Sequence, residues 1–256
     1  MILIFMNNDK RIMDPLAELV SVGYSSMFPE YKKSPFYLIK DFRENKYTSA
    51  LIQKLIRLRS PLNHKPVRLL KRAIDLVFSF FSMIILLPLL PVFAMLIKLN
   101  SKGPVFFLQK RNKKNGAVFN CIKLRTMIMN AEADTRSTWQ DDERITTIGK
   151  FLRKYHLDEL PQLMNVFIGD MSLIGPRPHM ISENLSFQQA MKEYDYRNEV
   201  KPGITGLSQS LGNFGATEDR EQIRERLLFD LLYIKRWSPR MEIRIVYRTI
   251  RTMMTR

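Results

Sequence analysis

The sequence predicts an α/β protein that is mostly helical, with a few short strands and one long apolar insert. Three observations carry this. The run LVFSFFSMIILLPLLPVFAMLI, Leu76–Ile97, holds no charged residue over 22 positions. GPVFFLQKR and AVFNCIKLRTM read as strands on either side of the turn NKKNG. Beyond Thr146, apolar residues recur in helical pieces, punctuated by Gly169, by the GPRP of residues 175–178 and by the SPR of residues 238–240.

The chain of 256 residues is long enough for one large domain or a domain with an appendage. Lys and Arg total 41 against 25 Asp and Glu, a net charge of +16. Such an excess implies an anionic partner: nucleic acid, an anionic membrane surface or a phosphorylated substrate. Cys121 is the one cysteine, which leaves no intrachain disulfide and fits a reducing compartment. With no histidine near it in sequence, Cys121 reads as a small packed hydrophobe.

Residues 1–65 form an N-terminal extension of open role. MILIFM is too short to span a membrane and lacks the basic start and cleavage site of a secretory signal; it reads as a buried strand or an anchoring end. DFRENKYTSALIQKLIRLRS is an amphipathic helix with Leu51, Leu55 and Leu58 on one side, and Pro61 and Pro66 end it. From residue 66 to 256 the chain reads as a second unit, with a candidate membrane segment over residues 69–99.

The uncharged run has the length of a membrane span, but Pro88 and Pro91 interrupt it, and each removes a backbone donor and bends or breaks a helix. Both flanks are basic: Lys65, Arg68, Lys71 and Arg72 before, Lys98, Lys102, Lys110 and Arg111 after. Basic flanks favour the cytoplasmic side, so a straight span puts one cluster on the wrong side, whereas a helix that enters, turns at the prolines and returns keeps both inside. The residues alone leave this re-entrant form and a proline-kinked bitopic helix open, with a buried core helix as a third reading.

MNAEADTRSTWQDDERIT is polar and reads as helix then loop. Residues 182–200 read as polar and helical, KPGITGLSQ as a turn and a short extended segment, and residues 218–237 as a helix closed at SPR. In the tail, Ile243, Val246, Tyr247, Ile250 and Met254 share one face and Arg240, Arg244, Arg248 and Arg251 another. That suits a helix in a lipid headgroup layer, or a surface helix whose apolar face packs on the core. A nucleic-acid role rests on charge alone; the absence of interleaved stacking aromatics and the uncharged run speak against it.

The residues able to carry chemistry centre on HLDELPQLMNV, residues 156–166. Taken alone, Asp158 reads as a helix cap and Glu159 as a first-turn acid beside it. Their surroundings point further. KFLRKYH precedes them with several cations, Arg177 follows between two prolines, and Lys123 and Arg125 stand at alternate positions of a predicted strand, on one face. Cations converging on two carboxylates suit a polyphosphate with Mg²⁺, which prefers carboxylate and phosphate oxygens. A carboxylate is also a competent nucleophile toward phosphorus.

From about Lys71 to Arg251, about seven-tenths of the chain, the sequence resembles the bacterial sugar transferases, monotopic phosphoglycosyl transferases acting on a polyprenyl phosphate. The matching blocks run in order: KRAID, Pro88 in the apolar run, GPVFFLQKR, FNCIKLRTM, IGKFLRKYHLDELPQLMNVFIGDMSLIGPRP and VKPGITGLSQ. The resemblance implies a re-entrant helix–break–helix in the bacterial inner membrane, with Pro88 at the break, and a catalytic domain with interfacial amphipathic helices on the cytoplasmic face. It implies transfer of a sugar-1-phosphate from a UDP-sugar to undecaprenyl phosphate, starting a surface glycan such as an exopolysaccharide, capsule, O-antigen or glycoprotein glycan.

The same resemblance makes Asp158 the nucleophile that takes the phospho-sugar and Glu159 the Mg²⁺ ligand, with Lys123, Arg125, Arg153, Gln162, Arg177 and Lys201 in substrate binding. It leaves the sugar and homo-oligomer formation open. Three departures stand out. Leu87 takes the place of the serine that often precedes the breaking proline, with Pro91 as a candidate compensation. His156 replaces a small hydroxyl residue and reads as partly exposed without a catalytic part. RNKKNG is longer than the usual glycine turn. Larger members carry several transmembrane helices ahead of this module, and residues 1–65 show none. A membrane-bound scaffold of the same fold without activity is the competing reading, and the intact Asp158–Glu159 pair argues against it.

Overall fold

The structure is a computed structural model that describes residues 46–254 apart from residues 131, 133–137, 139–141, 214, 216 and 218. The contacts divide the chain into residues 1–54 and 55–256. Of the first unit only the start of helix α1, Lys46–Arg57, is described. The strand or anchor expected at MILIFM lies outside the described residues, as does half of the helix and loop expected at residues 129–146. Leu51 and Leu55 on α1 are buried and Arg57 is exposed, as the amphipathic spacing requires.

The second unit is mostly helical, with two short sheets. After a 3₁₀ turn at Pro61–Asn63 come α2 (Lys65–Leu86) and α3 (Leu90–Asn100), bent by 59° at the intervening residues. Pro88 causes the break, because it has no amide to donate to the preceding turn. Leu87 N still donates to Met83 O at 2.8 Å and Leu89 N to Leu86 O at 2.9 Å, so the chain stays hydrogen-bonded on both sides of the proline. Pro91 falls at the second position of α3, where a missing N–H costs nothing, so it starts the second helix. Among the described residues no single helix is long and apolar enough to cross a membrane; the bent pair passes that test only when taken together. Phe78, Phe81, Ile85, Leu87, Val92, Met95 and Leu99 on this pair are all exposed.

The base of α2 is bonded into the rest of the unit through KRAID. Lys71 pairs with Glu242, and Arg72 donates to Val166 O at 2.6 Å and to Phe167 O at 2.7 Å. Those carbonyls end α5 (Gln162–Ile168), where a cation suits the unpaired oxygens. Asp75 Oδ1 accepts from Ser172 Oγ and Leu173 N, each at 3.0 Å.

Strands β1 (Phe106–Asn112) and β2 (Val118–Leu124) form the expected antiparallel hairpin, with Phe107 opposite Lys123 and Gln109 opposite Cys121. Asn115 takes positive φ in its turn, a conformation asparagine tolerates. Phe119, Cys121, Val166 and Met171 pack β2 against α5, while Ile97, Leu124 and Leu152 join α3, β2 and α4 (Thr147–Lys154). Cys121 is fully buried, the packed hydrophobe the sequence implies. Gly169 closes α5 with positive φ, the backbone that a helix stop needs and glycine adopts without strain.

The sequence did not foretell the second sheet. β3 (Ser172–Ile174) and β4 (Gly203–Thr205) pair in parallel and bring IGPRP against KPGITG, backbone to backbone. Gly175 N donates to Thr205 O at 2.8 Å and Gly203 N to Pro176 O at 2.9 Å. A methyl group on Gly203 would overlap the Gly175 amide. Gly203→Ala is therefore expected to destabilise the protein by about 1–3 kcal/mol or more, as overpacking of a closed contact does. A thermal-unfolding midpoint unchanged from wild type would refute that packing role.

Helix α6 (Ile181–Ala190) and a 3₁₀ stretch at Lys192–Glu199 fill the region read as polar and helical. A short helix α7 (Leu207–Ser210) leads to α8 (Arg220–Arg236), which is buried along most of its length through Ile223, Leu227, Leu231 and Ile234. Ser238-Pro239 ends α8 and also starts α9 (Pro239–Met254). On α9, Met241 and Ile245 face inward, whereas Ile243 is 71% exposed and Tyr247 67%. The alternative in which the tail's apolar face packs on the core therefore fails: a different stripe makes that contact and leaves the apolar face outward.

Candidate active site

Asp158 and Glu159 sit in a 3₁₀ turn, Leu157–Glu159, between α4 and α5. His156, at φ 54, ψ 22, takes the left-handed backbone that swings the chain into this turn. Asp158 does not cap a helix, as its place before an apolar segment had suggested: the residue before α5 is Pro161, and no side chain caps that helix. The left-handed turn detaches the dyad from α5 and directs it into a cavity of about 340 Å³.

The two carboxylates have different surroundings. Glu159 Oε1 accepts from Lys123 Nζ and from Arg177 Nη2, each at 2.8 Å, and Oε2 from Arg177 Nη1 at 3.3 Å. Burial opposes charge on Glu159, yet the Arg177 and Lys123 cations outweigh it and hold its carboxyl well below the usual range. Asp158 is buried and takes no part in these ion pairs. Burial raises its pKa, the Lys123 charge counters that, and the charge on Glu159 adds to the rise. One carboxylate is thus held by two cations, and its neighbour faces the cavity with fewer restraints.

Arg153 lines the same cavity, and its Nε donates to Thr126 Oγ1 at 2.7 Å. His156 also reaches the cavity and is half-buried, in keeping with the partly exposed side chain expected. Three other candidates are placed differently. Arg125 follows the end of β2, so the shared-face spacing with Lys123 stops one residue short. Its guanidinium touches the cavity wall but donates to the carbonyls of Ser101, Lys102 and Pro104 at 2.8, 2.6 and 2.6 Å, which fixes the exit of α3. Gln162 is buried at the first residue of α5, off the cavity wall. Lys201 lies half-buried beside Arg72 near Gly169, also away from the cavity, and burial and then Arg72 lower its pKa.

The structure adds cavity residues that the sequence reading missed. Gln109 and Arg111 share the inner face of β1, and His179 stands two residues after Arg177. The period-two pattern Phe107, Gln109, Arg111 was the signal for the first two. His179 Nδ1 lies 2.9 Å from Glu183 Oε2, in the first turn of α6. Burial and the Arg197 charge lower the His179 pKa to about 4. Glu183 is held at about 2: burial opposes its charge, and His179 and Arg111 beside it outweigh that.

This pair makes stability depend on acid. Between the ordinary histidine value of 6.5 and about 4, the unfolded chain takes up a proton that folded His179 refuses. The stability contributed by this pair is therefore fully present above about pH 6.5 and falls as pH drops toward 4, with a further loss as pH passes from 4.5 toward the folded Glu183 value of about 2. Thermal midpoints measured from pH 7 to 4 should fall less steeply for His179→Asn than for wild type; equal slopes would show that His179 is not the group responsible.

The site also has a rear support. Arg197 pairs with Asp230 of α8 at 2.8 Å, and the same guanidinium donates to the backbone carbonyl of Arg177 at 2.7 Å. Both residues of the pair are buried.

Comparison with known proteins gives this geometry a family. The model of the family described as bacterial sugar transferase matches residues 66–256. A UDP-glucose:undecaprenyl-phosphate glucose-1-phosphate transferase from Escherichia coli (strain K12) is 42% identical over 184 residues, 72% of this chain and 40% of its own length. A protein of the same description from Caulobacter vibrioides is 40% identical over 205 residues, 79% of this chain and 77% of its own. A UDP-N-acetylgalactosamine-undecaprenyl-phosphate N-acetylgalactosaminephosphotransferase from Aeromonas hydrophila is 38% identical over 224 residues, 86% of this chain and 52% of its own. The chain thus spans less than half the length of the first of these relatives. With the family model covering the dyad, the cation clamp and the bent helix pair alike, the chain belongs to the bacterial sugar transferase family.

Proposed function

We propose that this protein transfers a hexose-1-phosphate from a UDP-sugar to undecaprenyl phosphate, releasing UMP, by way of a phospho-sugar carried on Asp158. One observation carries the reading: two adjacent carboxylates in one cavity have environments that divide their roles, Glu159 clamped by Lys123 and Arg177 and Asp158 unclamped. An oxygen of Asp158 attacks the sugar-linked phosphorus, the bond to the UMP oxygen breaks, and UMP leaves with the electron pair. An oxygen of the acceptor phosphate then attacks the same phosphorus, and the bond to Asp158 breaks, restoring the carboxylate. Lys123, Arg153 and Arg177 hold the donor phosphates and offset their charge.

Glu159 is the residue that would hold Mg²⁺, with Asp158 adjacent. Among the described residues no group of three or more His, Cys, Asp or Glu could hold a metal. This donor set suits an ion that keeps most of its oxygens from substrate phosphate and water, as Mg²⁺ does. When bound, the ion supplies positive charge to the diphosphate.

A lipid acceptor calls for a site at a membrane surface. The bent pair α2–α3, with its exposed apolar side chains, fits a re-entrant hairpin, and α9, with Ile243, Val246, Tyr247 and Ile250 outward, fits a helix in the headgroup layer of the bacterial inner membrane. The catalytic part then faces the cytoplasm. Cysteines introduced at Leu70 and Lys102 should both be protected from an impermeant reagent outside intact cells; labelling of either one overturns the re-entrant arrangement. The reaction is tested by supplying the purified protein with Mg²⁺, undecaprenyl phosphate and a panel of UDP-sugars. UMP release with matching transfer of sugar label into lipid is expected from at least one donor. Absence of UMP release from every donor would reject the function. The product fits a lipid-linked first sugar for exopolysaccharide or a related surface glycan.

A further inference from the structure

The cavity has two polar ends, and the mechanism above uses only one. At the cationic pole Lys123, Arg153 and Arg177 surround the dyad. On the same wall, Glu183 and His179 form a second group. The Glu183 side chain is mostly buried, carries its charge with one oxygen 2.9 Å from His179 Nδ1, and lies in the first turn of α6, where the helix dipole favours an anion. With Nδ1–H given to Glu183, neutral His179 stands with its ring edge-on to Phe187 at 5.0 Å between centroids, which fixes its orientation. Arg111, whose guanidinium is held by Gln109 and by the Pro178 carbonyl, stands beside Glu183 from β1 as its countercharge, so that Glu183 offers a fixed acceptor and no strong net field.

A carboxylate held beside cations still accepts hydrogen bonds from neutral hydroxyl or amide groups, whereas an ionised phosphate has no proton to offer it. It therefore orients the donor, with phosphates toward Lys123 and Arg177 and hydroxyl-bearing atoms toward Glu183. Glu183 feels the charge of Arg177, the residue that clamps Glu159, so it stands close to the phosphate end. In a nucleoside diphosphate sugar, the ring attached to the reacting phosphate is one bridging oxygen away, while the base lies beyond a second phosphate and a ribose. The sugar also has to remain beside Asp158 through both half-reactions, after the nucleotide has gone.

We infer that Glu183, positioned by His179, reads the hydroxyl groups of the transferred hexose and is a specificity-determining residue of this site. The inference rests on the donor being a UDP-hexose, as proposed above. Its prediction separates sugar from nucleotide. In Glu183→Gln, which keeps the size of the side chain and a hydrogen bond to His179, the KM for UDP-glucose, or for whichever UDP-hexose the wild type turns over fastest, should rise about tenfold, the loss expected for a charge-assisted hydrogen bond. The inhibition constant of UMP, which has no hexose, should change by less than about twofold, a split that a general loss of structure would not give. A parallel rise in both constants, or no change in either, overturns the assignment. If Glu183→Gln does not fold, Glu183→Asp, which keeps the charge but withdraws it, should show the same split. A wild-type protein that turns over no UDP-sugar defeats the proposed function, whereas an active wild type without the split defeats this inference alone.

Discussion

Replacing Asp158 by Asn should lower the rate of UMP release by about a thousandfold or more, the scale seen when the nucleophile of a covalent catalyst is removed. The substitution is close to isosteric, and Asp158 belongs to none of the ion pairs that hold Glu159, so the clamp by Lys123 and Arg177 should persist. Two readouts make the test specific. Wild-type protein quenched with donor but no acceptor should gain the mass of one hexose phosphate, and Asp158→Asn should gain nothing. The variant should still bind the UDP-sugar, because its cationic pole is unchanged. If Asp158→Asn releases UMP at the wild-type rate, Asp158 is not the nucleophile.

The second large effect is expected 33 residues beyond Arg197, at Asp230. Arg197 and Asp230 form a buried pair, with Arg197 Nε 3.0 Å and Nη2 2.8 Å from Asp230 Oδ2, and the guanidinium lies over the Tyr194 ring at 4.9 Å. Burial raises the Asp230 pKa, and Arg197 offsets part of that rise. Asp230→Ala leaves a buried guanidinium without its carboxylate, and loss of one partner of such a pair costs about 3–5 kcal/mol. The damage should also reach the site, since Arg197 holds the Arg177 carbonyl. A double variant, Arg197→Met with Asp230→Leu, removes both charges and should regain much of the stability. It cannot regain the bond to Arg177, so its kcat/KM should stay low. Recovery of stability and activity together would mean that the pair stabilises the fold without positioning Arg177.

The parts of this protein that were legible in the sequence are those with long or local signals. The uncharged run with Pro88 gave the bent helix pair, because a proline inside an apolar helix has a local steric effect. The hairpin followed from two alternating runs around NKKNG, and the dyad with Lys123, Arg153 and Arg177 followed from charge density and family resemblance. Whatever depends on two distant segments meeting was hidden. β3 and β4 are three residues each, too short for a period to show, and they exist because Gly175 and Gly203 allow two backbones to touch. Arg125 shows a similar limit: it reaches the cavity wall, but β2 ends before it, so strand spacing does not place it, and nearby carbonyls hold its guanidinium. Lys201 lies in a motif of the family and yet sits near Gly169 beside Arg72, a like charge, since the β3–β4 pairing fixes the course of KPGITG away from the cavity. His179 and Glu183 carry no motif of their own, and only the start of α6 brings them to the cavity wall.

KRAID changes how the apolar hairpin should be regarded in any attempt to dissect this protein. Lys71, Arg72 and Asp75 reach three separate places: Glu242 on α9, the last carbonyls of α5, and the start of β3. Cutting the chain at residue 100 to obtain a soluble enzyme would strip all three at once. Among the described residues Glu242 would keep the neutral donors Tyr233 and Trp237 around a buried charge, and the helix after the dyad would lose the cation at its last carbonyls. The hairpin and the catalytic part are thus one cooperative folding unit, not an anchor and its passenger, and a truncation that starts at β1 should yield an aggregating polypeptide where a detachable anchor would have left a working enzyme.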